Sequence, residues 1–221
     1  MNDISKTIKW AHKSWNPVTG CLNGCYYCYA RKIYNRFKKS FSPQIHYNRL
    51  NEPCKALKPL RIFTCSVSDL WGLGVPAVWR NQIWKIMNAC PQHNFLTLTK
   101  QPHRICSRIY KMEWPLLPKN LWLGITITGD GDEWRAEFIR KHKGIKFISF
   151  EPLIKKPLIN LKGFDWIIIG AMSGLGSKKH APKKEWILGL LSQAKSHKIP
   201  VFMKDNLKTV WPGVLRQEFP K

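Results

Sequence analysis

Cys21, Cys25 and Cys28 stand at the spacing C-x3-C-x2-C inside NPVTGCLNGCYYCYARKIYNRF, residues 16–37, so three of the chain's seven cysteines fall within eight positions. Thiols this close on one tight loop can converge on one metal or one metal cluster. The helical pattern that begins right after them adds the positive potential of a helix start, which favours ionised sulfur. Structural zinc takes four ligands, usually as two short-spaced pairs; no second Cys or His pair occurs, and His12 would complete a tetrahedron only by folding back. A cubane iron–sulfur cluster normally takes four thiolates, and with three it keeps one iron open to a bound molecule. Cys54, Cys65, Cys90 and Cys106 show no ligand spacing and read as small buried hydrophobes.

Other chemically capable residues sit where apolar runs end. Ser66, Ser68 and Asp69 follow LRIFTC; Thr99 and Lys100 close FLTLT; Thr126 and Thr128 lie in and after LWLGITI; Ser149 and Glu151 close KFISF; Ser173 follows WIIIGA; Lys204 and Asp205 follow PVFM. For the hydroxyls and Asp69 a cap or turn role competes, because such side chains accept backbone N–H bonds. Lys100, Glu151 and Lys204 are stronger candidates for catalysis, since a charged group at the mouth of a parallel sheet is desolvated unless it holds a partner or ligand.

The elements that must position these residues are short apolar runs alternating with amphipathic stretches. Strands are expected at 60–65, 95–99, 121–127, 146–150, 165–170 and 200–204, with a weaker first one at 7–11. Helices are expected over Tyr27–Lys38, Pro76–Ala89, Pro102–Tyr110, Asp132–Lys143 and Lys183–His197; in the second of these Val78, Trp79, Ile83, Trp84, Ile86 and Met87 supply the apolar positions. Residues 39–59 read as a loop. Alternation of this kind is α/β, a succession of βα units on a parallel sheet, in one domain of 221 residues.

The charge is lopsided: 37 Lys and Arg against 13 Asp and Glu give a formal +24. That excess points to a polyanionic partner, nucleic acid before a membrane surface. Basic residues interleave with aromatics over Arg31–Lys39, with Tyr34 and Phe37, and over Lys178–Lys184, with His180 and Trp186 nearby. Phe37 is expected to face inward, as on an ordinary amphipathic helix. No run approaches the ~18 apolar residues of a spanning helix, and the N-terminus lacks the apolar centre of a signal peptide. A cytoplasmic setting with reduced thiols is the expectation.

CLNGCYYC resembles the C-x3-C-x-aromatic-C motif of the radical S-adenosylmethionine (SAM) superfamily. The runs SWNPVTGC, RIFTCSVSDLW, LTKQPHRI, LWLGITI, ISFEPL, WIIIGAMSG and VFMKDN resemble, in the same order, a phage-associated family of radical-SAM-like proteins with a three-cysteine motif. The resemblance implies a partial (β/α)6-type barrel with the cluster loop at 16–30, and a 4Fe-4S cluster on Cys21, Cys25 and Cys28 whose open iron chelates SAM. It also implies an electron donor and cleavage of SAM to a 5′-deoxyadenosyl radical. By the same resemblance Tyr27 lies near the adenine. Ser66, Ser68 and Asp69 replace a Gly-Gly-Glu run around the SAM amino group, and Thr126, Thr128, Ser149 and Glu151 meet ribose and carboxylate. Members of the family usually carry Glu where this chain has Met172, and a longer gap between the first two cysteines. With the charge, this reads as modification or repair of a nucleic-acid substrate. A zinc-stabilised nucleic-acid-binding module without catalysis is the alternative.

Overall fold

The computed structural model describes residues 1–105, 117–174 and 176–220. They form two compact units, Met1–Trp122 and Leu123–Lys221. In the first, β1 (Asn2–Asp3), β2 (Lys13–Trp15), β3 (Val18–Thr19), α1 (Tyr29–Arg36), β4 (Gln44–Ile45), β5 (Arg61–Thr64), α2 (Ala77–Ala89) and β6 (Asn94–Thr99) follow one another. β2, β5 and β6 are parallel neighbours, in register through Trp15↔Thr64 and Phe63↔Leu96. β1 lies antiparallel to β2, and β3 pairs antiparallel with β4.

Three expectations are corrected here. Residues 7–11 are a turn and not a strand: the Thr7 and Ile8 N–H groups both return to the Ile4 carbonyl, and the turn buries Trp10 against Phe63, ring centroids 4.6 Å apart. In α2, expected from Pro76 and observed from Ala77 with Pro76 as its cap, Ile83, Trp84 and Met87 are buried, but Val78 faces solvent. Arg80 takes the inner position instead, satisfied by the carbonyls of Leu70 and Val75 at 3.3 and 2.9 Å. Of the helix expected over Pro102–Tyr110, Pro102–Arg104 form a single 3-10 turn, and 106–110 lie outside the described residues.

The second unit takes up the chain within β7 (Leu121–Thr126), from Leu123 on, and continues with α3 (Arg135–Ile139), β8 (Lys146–Phe150), β9 (Trp166–Ile169), α4 (Lys184–Ser196) and β10 (Val201–Met203). β7 to β10 are consecutive parallel neighbours. Nearly every residue in them is buried, the pattern of parallel strands covered on both faces. α4 turns Ile187, Leu190 and Ala194 inward at helical spacing. α3 is shorter than the expected 132–143 because Asp132 turns back onto the Thr128 and Gly129 backbone. Each unit is thus α/β with mostly parallel strands, as expected. Among the described residues no helix is long and apolar enough to cross a membrane.

Gly124 shows how tightly the second unit is packed. A Cβ added there would lie 2.4–2.7 Å from three ring carbons of Phe147, its neighbour in the β7–β8 register. Gly124→Ala should therefore cost about 1–3 kcal/mol through overpacking. Gly189→Ala, on α4 with nothing within 4 Å of the new methyl, should raise stability by up to ~1 kcal/mol. Thermal or urea unfolding of the two variants checks the opposite signs.

Candidate functional site

The cysteine loop is pinned at its root. Gly20 adopts φ +84°, and a Cβ there would fall 2.1 Å from the Ser42 carbonyl oxygen, so only glycine fits. The Gly20 N–H donates to Val67 O at 3.1 Å, the Ser68 hydroxyl donates to Gly20 O at 2.6 Å, and the Cys21 N–H donates to Phe41 O at 2.8 Å. The Ser66 hydroxyl donates to Asn16 Oδ1 at 3.1 Å, and the Tyr29 hydroxyl donates to Ser66 O at 2.9 Å. The loop is thereby fastened to the segment that follows β5.

All three sulfurs of the loop are half-buried and free of disulfides. Cys28 caps α1, its sulfur accepting the Arg31 N–H at 3.4 Å, and the Cys21 sulfur accepts the Asn23 N–H at 3.4 Å. Burial pushes the Cys21 thiol up to about 11; the Asn23 N–H and Lys100 oppose that rise, while Asp69 and Cys25 add to it. A bound metal would displace this proton. Among the described residues no three His, Cys, Asp or Glu side chains gather around a point where one metal ion would sit. A cubane asks for something different, one thiolate on each of three separate irons. Three soft, unpaired sulfurs on one loop, two of them already accepting backbone N–H bonds, fit such a cluster. His12 does not join them: it precedes β2, and its Nδ1 accepts the Arg61 N–H at 3.0 Å. Cys54 and Cys90 face each other with sulfurs 3.1 Å apart, Cys65 is buried and pushed up to about 12 by that burial, and Cys106 lies outside the described residues.

Asp69 organises the mouth of the first unit. The residue is only 5% exposed. Oδ1 accepts the Thr99 hydroxyl at 2.7 Å and the Trp71 N–H at 3.1 Å; Oδ2 accepts the Lys100 N–H at 2.9 Å and the Asn23 amide at 3.1 Å. Four donors fill the acceptor sites of one carboxylate. Gln101, whose side chain donates to Asn23 Oδ1, and whose N–H donates to Thr99 Oγ1 at 2.9 Å, closes the network. Lys100 itself reaches over Tyr27, Nζ 5.7 Å from the ring centroid. Asn23 and Gln101 escaped sequence reasoning, since an amide inside a loop carries no periodic or spacing signal.

In the second unit Thr126 and Ser149 are register neighbours on β7 and β8. Ser149 is 1% exposed and its hydroxyl has no hydrogen-bond partner among the described residues, a state buried hydroxyls rarely keep without water or ligand. The Thr126 carbonyl accepts from Arg135 at 2.8 Å. Thr128 serves a turn, its N–H and hydroxyl both held by Asp132, which also pairs with Arg135 at 2.7 Å. Glu151 and Lys204 form a short ion pair across the ends of β8 and β10. Gly170 makes room for it: an added Cβ would lie 3.0 Å from Lys204 Cδ and 3.3 Å from Glu151. Asn206 clamps the Ala171 backbone, accepting its N–H at 3.0 Å and donating to its carbonyl at 2.7 Å, and touches Ser173 Oγ at 3.2 Å. Met172 is buried.

Residues 5–211 match the family described as "Protein of unknown function (DUF5131)", and the chain belongs to that family. Among curated proteins none matches it significantly. Solved structures of spore photoproduct lyase are similar in fold. A tyrosine-to-phenylalanine mutant gives a TM-score of 0.55 at 12% identity, covering 86% of this chain and 75% of that one. A cysteine-to-alanine mutant with dinucleoside spore photoproduct gives 0.50 at 13%, covering 84% and 61%. A double mutant with bound AdoMet and dinucleoside spore photoproduct gives 0.49 at 13%, covering 82% and 60%. This chain spans about three fifths of the length of these ligand-bound lyase structures.

Removing the Asp69 carboxylate strands several buried donors, each costing about 1–3 kcal/mol. Asp69→Ala should lower stability by at least ~2 kcal/mol and speed amide hydrogen exchange over residues 20–28, with α4 unchanged. Equal exchange in the loop would count against Asp69 as its anchor.

Proposed function

We propose that this protein is a radical SAM enzyme acting on a nucleic-acid substrate. The observation that carries the reading is the loop of three free, half-buried thiols at C-x3-C-x2-C spacing, anchored beside the ends of parallel strands. Cys21, Cys25 and Cys28 would hold a 4Fe-4S cluster, which when bound and reduced by an electron donor supplies cleavage of SAM to a 5′-deoxyadenosyl radical for hydrogen abstraction. The remaining work falls to the chain's own side chains.

Lys100 offers an ammonium beside Tyr27, suited to a carboxylate with an aromatic group alongside. Ser66 and Ser68 use their hydroxyl protons within the chain and keep acceptor lone pairs for an ammonium or hydroxyl. Asp69, its four acceptor sites occupied, would act by fixing the loop and lending negative charge, not by gripping SAM directly. Orphaned hydroxyls mark where polar partners are wanted: Thr97 on β6, Thr64 at the end of β5 and Ser149 near the end of β8 are buried without partners among the described residues. Ser149, with Thr126 beside it, suits a ribose. Glu151 and Lys204, neutralising each other, would present one cation and one acceptor to the reacting molecule while costing little net charge. The nucleic-acid part rests on the formal +24 and is in keeping with a fold neighbour solved with a dinucleoside.

Anaerobically purified and reconstituted protein should contain iron and sulfide, and each of Cys21→Ala, Cys25→Ala and Cys28→Ala should lose most of both. Iron content that survives all three replacements, or a colourless zinc protein, would sink the cluster. Lys204→Ala should keep wild-type iron while 5′-deoxyadenosine formation falls roughly 10- to 100-fold, the loss expected of one charge-assisted hydrogen bond. Product assay by chromatography after dithionite reduction, with and without DNA or RNA, reads both halves of the proposal.

A further inference from the structure

Helix α1 leaves the cysteine loop and buries only Ala30. Its inner side is held by Tyr34 against Phe41, rings 4.8 Å apart, and by Arg31, which donates to Cys21 O and lies 5.0 Å over the Phe41 ring. The opposite side is unusual. Contrary to the inward orientation expected from its sequence, Phe37 is 64% exposed, in line with Ile33 at 49% and Tyr29 at 51%; Tyr26, just before the helix, is 57% exposed. At 3.6 residues per turn, Lys32, Arg36, Tyr29, Ile33 and Phe37 share one arc of about 140°. Lys38 and Lys39 follow the end of the helix, both exposed. Residues 29–39 hold five cations, and no acidic residue occurs anywhere from 4 through 51.

Single exposed apolar residues need no explanation, but rings aligned along one helix between cations that have no ion pair among the described residues do. Fixed positive charge without acidic neighbours selects a polyanion. Rings interleaved with cations select a polyanion that offers flat apolar faces, as unstacked bases do. An eight-residue helix is short for an interfacial membrane anchor. We propose that this arc of α1 is a docking surface for single-stranded or locally unpaired nucleic acid, with Lys32, Arg36, Lys38 and Lys39 on phosphates and Phe37 stacking on a base. The assignment rests on the nucleic-acid reading above and locates it: a strand along α1 runs directly into Cys28, the helix cap.

The test is fluorescence anisotropy with a fluorescein-labelled single-stranded oligothymidylate and the matching duplex, on metal-free protein, so that cluster chemistry plays no part. Wild type should bind the single strand in a salt-dependent manner and more tightly than the duplex. Phe37→Ala should weaken single-strand binding roughly 5- to 100-fold, the range for one lost stack. Lys32→Gln combined with Arg36→Gln should flatten the slope of log affinity against log salt by about 0.7 per cation removed on the single strand. Lys119→Gln, an exposed charge removed elsewhere, should bind like wild type. If wild type binds and the α1 variants match it, or Lys119→Gln loses as much as they do, the surface is wrongly placed while the nucleic-acid reading stands. No binding of wild type to either probe would remove both. A wild-type dimer by sedimentation that Phe37→Ala disperses would assign the arc to a second copy of this chain and overturn the proposal.

Discussion

One buried carboxylate holds the mouth of the first unit in place. Asp69 cannot sit nearly inaccessible to water without partners, because desolvating an ionised carboxyl costs several kcal/mol unless donors replace the lost hydration. The chain supplies four, from Trp71, Asn23, Thr99 and Lys100. Those donors come from separate places: the cysteine loop, the segment after β5 and the end of β6. Satisfying one charge therefore fixes three pieces of backbone relative to one another. The thiols of Cys21, Cys25 and Cys28 inherit that order, and so does Lys100, whose backbone is held while its side chain reaches over Tyr27.

The second unit solves a related problem differently. Its strands are apolar almost throughout, and polar groups collect at their ends. Glu151 and Lys204 compensate each other there, and the space they occupy exists because residue 170 has no side chain. Where Asp69 is saturated by neutral donors, this pair is balanced by opposite charge and keeps unused hydrogen-bonding capacity. The contrast is between a carboxylate saturated within its own unit and an ammonium that keeps donor capacity beyond its one ion pair.

Legibility from sequence followed the range of the interaction involved. Strands buried on both faces announce themselves as apolar runs, so 146–150 was readable to the residue, and Pro76 marked the start of α2 because proline suits a first turn. The cysteine spacing was equally plain. What escaped depended on distant partners. Thr7–Ala11 has a strand's composition, yet Trp10 finds Phe63 across a turn. Val78 and Arg80 exchange their expected sides because two carbonyls from before the helix satisfy the guanidinium. Asp132 looked like a helix start and instead closes a turn on Thr128. Asp69's four partners span residues 23 to 100, a set no local pattern could assemble.

Cys28 performs two jobs with a single atom. Its sulfur terminates the loop and also accepts the Arg31 N–H in the first turn of α1. A side chain that caps a helix helps hold the turn it caps, so displacing that atom would loosen the start of α1. Since Tyr29 and Lys32 lie within that turn, the placement of one sulfur and the order of the helix surface are linked across a few covalent bonds.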